Sequence, residues 1–120
     1  MPRDHRLYID DIIEAIQKIR SYVQDMDDTA FIADRKTQDA VIRNLEIIGE
    51  AVGNLPEEIP DLDPEINWRK IKGLRNILIH EYFGINLQIV WDVVRNKLGP
   101  LETCCRRLLN IFSESDGWDK

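Results

Sequence analysis

The chain has 120 residues, 43% hydrophobic and 32% charged, with a formal net charge of −6. That is enough for one domain with a real core, and the acidic balance argues against nucleic-acid binding by the surface as a whole, though not at a local basic site. No apolar run approaches the ~20 residues a membrane span needs, and MPRDHRLYIDD lacks the apolar stretch of a secretory signal, so a cytoplasmic protein is expected.

The first helix is predicted over about residues 4–26, with Asp4 as N-cap. Ile9, Ile12, Ile13, Ile16, Ile19, Val23 and Met26 recur at helical spacing. The polar run at 27–29 breaks it. A second helix is predicted from Asp34 to Asn54, with Val41, Leu45, Ile48, Val52 and Leu55 as its stripe. Gly53, Asn54 and Pro56 supply the stop. An acidic loop with two prolines follows. Asp63 and Pro64 then open a third helix that should end at Gly84.

Asn86 restarts the pattern. Leu87, Val90, Val94, Leu98, Leu101, Cys105, Leu108 and Phe112 stay in phase across Gly99-Pro100. This predicts one bent helix, or two nearly collinear ones, with the kink where Pro100 removes a hydrogen bond. The reading is all-α: an antiparallel bundle of four main helices with a kinked C-terminal helix, a domain over 1–112 and a polar tail over 113–120. Cys104 and Cys105 are adjacent and point about 100° apart on a helix, which suits packing and not a disulfide or a zinc site.

The third helix carries GLRNILIHEYFG, residues 73–84. On a helical wheel Ile71, Leu74 and Leu78, with Ile77 at the edge, face the chain's own core. Arg75, Asn76, Ile79, His80 and Phe83 fall on much of the other side. An apolar face rimmed by polar groups marks an interface with a second copy, or a face covered by other helices of the same chain. Arg75 offers a fork of donors suited to phosphate, and His80 exchanges a proton near neutral pH. Asn76 can orient either of them, and Tyr82 adds a hydroxyl. Such groups suit RNA cleavage by the substrate's own 2′-hydroxyl, which needs a base, an acid and positive charge on the phosphorane. One histidine cannot easily be both base and acid. A symmetric dimer would bring two copies of His80 and Arg75 to one cleft. By spacing alone the signal is weak, because an arginine and a histidine five apart on a helix are usually structural.

Arg75, Asn76, His80 and Tyr82 together fit R-N-x3-H-x-Y. With RNLEIIGEA (43–51), INWRKIKGLRN (66–76) and IVWDVV (89–94), the chain resembles the HepT-like branch of the HEPN superfamily from near its start to about Leu101. The resemblance implies an all-α homodimer that acts as a metal-independent endoribonuclease at its dimer interface. Arg75 and His80 would be catalytic, Asn76 supporting, and no cofactor is called for. It also implies the toxin of a type VII toxin–antitoxin pair, whose partner is an MNT-type nucleotidyltransferase that transfers AMP from ATP to Tyr82. AMPylation there would place bulk and negative charge where RNA phosphate should sit. Leu74 stands where a methionine is expected, and Asn86 where an aspartate is. The competing reading is a noncatalytic RNA- or nucleotide-binding module, or a scaffold for the transferase.

Weaker features remain. Arg69, Lys70 and Lys72 could form an RNA-binding patch or simply a solvated helix face. Trp68 could stack a base, though a core or interface tryptophan is the stronger reading. Glu46 and Glu50, one turn apart, read as structural or helper groups and not as a metal site.

Overall fold

The computed structural model describes residues 4–56, 58–59, 66–73 and 86–117, with side chains to residue 111. Every regular element among them is helical.

Helix α1 spans His5–Tyr22 and buries Ile9, Ile12, Ile13, Ala15, Ile16 and Ile19 on one face. Asp4 caps it as expected, accepting from the Arg6 backbone N–H at 2.9 Å. The Arg6 guanidinium folds back onto the same carboxylate at 2.8 Å. Hydrogen bonds from the Arg6 side chain and backbone hold the Asp4 carboxyl down at about 2.

The helix stops before the expected Met26. Val23 closes it with an N–H donated to the Ile19 carbonyl at 3.1 Å. Asp25 then takes the left-handed region at φ 64, which aspartate tolerates better than most residues and which no α-helix continues through.

The polar run at 27–29 both breaks α1 and starts another helix. Asp27 accepts from Ala30 N–H at 2.8 Å and caps α2, Asp28–Ile32. This short helix was not expected. Five residues cannot hold themselves helical. Instead α2 is held by its fully buried Phe31 and by Gln38, whose side-chain amide donates to the Phe31 and Ile32 carbonyls at 2.9 Å each.

Helix α3 spans Arg35–Gly53. Its cap Asp34 accepts from Thr37 N–H at 3.1 Å and from the Thr37 hydroxyl at 2.7 Å. Those bonds, the hydroxyl first, pull the Asp34 carboxyl below its ordinary pKa. Val41, Leu45, Ile48, Ala51 and Val52 form the buried stripe. Residues 68–73 are the described turns of α4.

Helix α5, Leu87–Asp92, begins at Asn86, whose side chain accepts from Gln88 and Ile89 N–H at 3.0 and 3.3 Å. The chain passes without interruption through a π-helix, Val93–Lys97, into α6, Leu98–Gly117. The irregularity thus lies ahead of Pro100, which itself sits inside regular α6. The carbonyl that a proline ring crowds is that of the residue four before it, here Asn96. Asn96 lies within the π segment, whose wider i→i+5 turn re-aims that group. The backbone of α6 runs on to Gly117, beyond the domain end expected at residue 112.

Helix α1 packs against α3 and α6, and α2 against α3 and α5. Ile9, Ile12, Ile16, Ile19, Leu45, Ile48, Leu101 and Leu108 all lie in the core at 2% exposure or less. Each contributes about 1.5–3 kcal/mol by leaving water. Cys104 and Cys105 are free thiols inside this core, and burial pushes the Cys105 thiol up to about 12. Glu102 ties the end of α1 to the start of α6, which sets the two helices antiparallel. Its carboxylate pairs with Arg20 of α1, and with Arg106 one turn on at 2.8 Å. No helix among the described residues is long and apolar enough to cross a membrane.

Candidate active site

Arg75, Asn76, His80 and Tyr82 lie outside the described residues, as do Leu74, Ile77, Leu78, Ile79 and Phe83 of the proposed two-faced helix. What is described is the segment that leads into them, 66–73, and the cap that follows them at Asn86.

Asn67 starts α4. Its side-chain oxygen accepts from Lys70 N–H at 3.1 Å, and its carbonyl accepts from Ile71 N–H at 3.1 Å. Trp68 is buried at 7% exposure within the main core, and Ile71 packs partly buried against that core. The base-stacking option for Trp68 is therefore set aside: its ring anchors the first turn of α4 to the bundle.

With Trp68 and Ile71 facing inward, Arg69, Lys70 and Lys72 are left exposed. Arg69 and Lys72 are three apart and share a face, whereas Lys70 points about 100° away from Arg69. Lys72 is steered by its stem. A β-carbon on Gly53 would lie 3.6 Å from its Cε and 3.7 Å from its Cγ, so the methylenes cross the last residue of α3. The ammonium is thereby held near the C-terminal end of α3, where a cation is favoured.

Of the two glutamates one turn apart, Glu46 sits 3.6 Å from Arg43 on its own helix, and Glu50 is exposed.

One feature escaped the sequence reading. Phe31 of α2 and Trp91 of α5 stack with ring centroids 5.0 Å apart and planes 29° apart. Arg95 lies over the Trp91 ring at 5.7 Å. The signals were an aromatic isolated in DDTAFIAD and a Trp–Arg pair four apart. Neither stands out without knowing that α2 exists.

The HepT-like ribonuclease family model matches residues 12–108. The candidate RNase MJ0127 of Methanocaldococcus jannaschii is 48% identical over 99 residues, 82% of either chain. The probable ribonuclease HepT of Thermococcus cleftensis is 43% identical over 102 residues, 85% of this chain and 93% of the relative. The candidate RNase TTE0752 of Caldanaerobacter subterraneus subsp. tengcongensis is 36% identical over 104 residues, 87% of this chain and 93% of its own. No solved structure matches. The family match spans the core helices, the exposed cations of α4 and the R-N-x3-H-x-Y segment alike, and the chain belongs to the HepT-like ribonuclease family.

Proposed function

We propose that the chain is a metal-independent endoribonuclease of the cytoplasm whose active site forms between two copies, and that it is the toxin of a toxin–antitoxin pair. The observation that carries the reading is the R-N-x3-H-x-Y segment of a HepT-like ribonuclease, which follows in sequence the described turns of α4, anchored by Trp68 and lined outside by Arg69, Lys70 and Lys72. One His80 takes the proton of a ribose 2′-hydroxyl. The 2′-oxygen attacks phosphorus, and the bond to the 5′-oxygen breaks. The second His80 protonates that leaving oxygen, giving a 2′,3′-cyclic phosphate and a 5′-hydroxyl. Arg75 stabilises the charge on the phosphorane, Asn76 orients it, and the α4 cations hold the flanking phosphates.

The regulator is a nucleotidyltransferase of the MNT type. It joins the Tyr82 oxygen to the α-phosphorus of ATP, releases pyrophosphate, and leaves a bulky anion beside Arg75.

The test is RNA digestion by the purified chain in excess chelator. The expected products end in cyclic phosphate, and His80→Ala abolishes them while sedimentation still reports a dimer. Full activity in His80→Ala rejects the assignment, and intact RNA from the unmodified wild-type chain favours a noncatalytic binding module. Incubation with the transferase and ATP should add AMP mass that Tyr82→Phe removes.

A further inference from the structure

A cleft of about 400 Å³ opens between α2 and the α5–π segment, lined by Asp28, Ile32, Gln88, Trp91, Asp92, Arg95 and Asn96. That volume lies within the range of small-ligand sites. Its far wall is one helical face. Gln88, Trp91, Asp92, Arg95 and Asn96 fall at i, i+3, i+4, i+7 and i+8, the spacing of a stripe that meets a partner. Yet all but Trp91 are exposed, and Trp91 is half-buried.

Two large apolar residues flank this face in water, Ile32 at 42% and Ile89 at 56% exposure. Ile89 is three and seven residues before Asp92 and Asn96, on the same side of the helix. The π-helix supplies Arg95 and Asn96, and such turns recur at functional sites.

The chemistry of the lining names the kind of occupant. Asp28 and Asp92 bring two carboxylates, and the Asn96 amide donates to Asp92 at 2.7 Å, fixing one of its oxygens. Trp91 is backed by Phe31, so its ring is rigid. Arg95 already lies over that ring, an intramolecular guanidinium on the surface a foreign one would take. RNA would meet two carboxylates. A second copy would bring its own net charge of −6.

We infer that this cleft docks a basic and apolar segment of a partner protein, with an arginine or lysine on the Trp91 ring, Asp28 and Asp92 as its counter-charges, and an apolar neighbour against Ile32 and Ile89. None of the lining residues belongs to the proposed nuclease centre, and the test uses no RNA cleavage.

The probe is the peptide acetyl-Leu-Arg-Leu-amide, titrated into the full chain while the Trp91 indole N–H resonance, assigned with Trp91→Phe, is followed by NMR. Saturable shifts at Trp91 and Ile32 are expected, with the Glu-centred peptide silent. Asp28→Asn with Asp92→Asn keeps the oxygens that Thr29 N–H and Asn96 donate to. The pair should weaken the arginine peptide roughly tenfold at unchanged melting temperature. Arg95→Ala should tighten it, because it clears the ring and removes a like charge. A lower affinity in Arg95→Ala, or equal binding of the Glu peptide, assigns the cleft to an anion and overturns the inference. So does saturation of the same resonances by oligouridylate, or their dependence on protein concentration alone, which would mark RNA or a second copy as occupant.

Discussion

On its bundle side the long C-terminal helix carries Leu98, Leu101, Cys105 and Leu108, each at 2% exposure or less. On the side turned to α2 the same spacing carries Gln88, Trp91, Asp92, Arg95 and Asn96, open to water except for the half-buried tryptophan. Periodicity decides which residues share a face. The chemistry of the residues decides whether burial compensates for lost hydration. Leucine and cysteine lose nothing on leaving water, while carboxylates and guanidinium groups lose several kcal/mol unless paired. The first face therefore closes into the core, and the second stays available.

The largest expected break in that contrast is Leu45→Ala. Leu45 is fully buried in α3, so truncation removes its transfer energy and leaves a cavity. A loss of about 3 kcal/mol in unfolding free energy is expected by urea titration. Gln88→Ala, at an equivalent stripe position of the open face, should stay within about 0.5 kcal/mol. Equal losses would erase the distinction.

Alkaline stability probes the closed face chemically. Desolvation, with lesser effects from Cys104 and Glu102, raises the Cys105 thiol to about 12. The folded state therefore keeps a proton that the unfolded chain releases near 8.5. Stability from this group is full below that lower value and falls as pH rises through the interval toward 12. Unfolding midpoints measured from pH 8 to 11 should decline more steeply in the wild type than in Cys105→Ala. Parallel curves would show that the thiol ionises in place.

Glu102 sits where the closed face nears its edge, with a side chain 12% exposed against about half for its arginine partners. Glu102→Ala strands Arg20 and Arg106, yet both can turn to water. A loss of about 1–2 kcal/mol is expected, between the values for exposed and buried pairs. Addition of salt should shrink it only modestly.

What the sequence showed follows the same division. The stripes of α1, α3 and α6 were legible because isoleucine and leucine at three and four spacing have one low-energy use. The cap at Asp4 and the helix starts at Asp34 and Asn86 were legible because an Asp or Asn oxygen ahead of a periodic run has an obvious donor to satisfy. Helix α2 was not, since its reason to exist is Phe31 packing on a residue sixty positions away. The π-turn was hidden too. Its effect belongs to Asn96 and Pro100 together, and Pro100 alone suggested a kink at the wrong place. In α4, the sequence left Arg69, Lys70 and Lys72 open between an RNA-binding patch and a solvated face, and it did not show how Lys72 is steered over Gly53. That depends on where the end of α3 lies.

The smallest effect is the most telling about the open face. Arg95 lies 5.7 Å from the centre of the Trp91 ring, and its side chain is solvated. An exposed cation–π contact contributes about 0.5–1 kcal/mol, and holding a long side chain in place offsets part of that. Arg95→Ala should therefore lower the unfolding free energy by about 0.5 kcal/mol or less. Arg95→Lys should recover little of it, because an ammonium stacks less well on an indole than a planar guanidinium. The Trp91 environment should respond more than the stability does, with a change in near-UV dichroism as the indole gains solvent on the face the guanidinium had covered. A loss of 2 kcal/mol or more would mean that Arg95 clamps α2 to α5 as part of the fold. The open face would then be a structural joint like its buried counterpart, differing only in being built from charge and aromatic stacking instead of aliphatic packing.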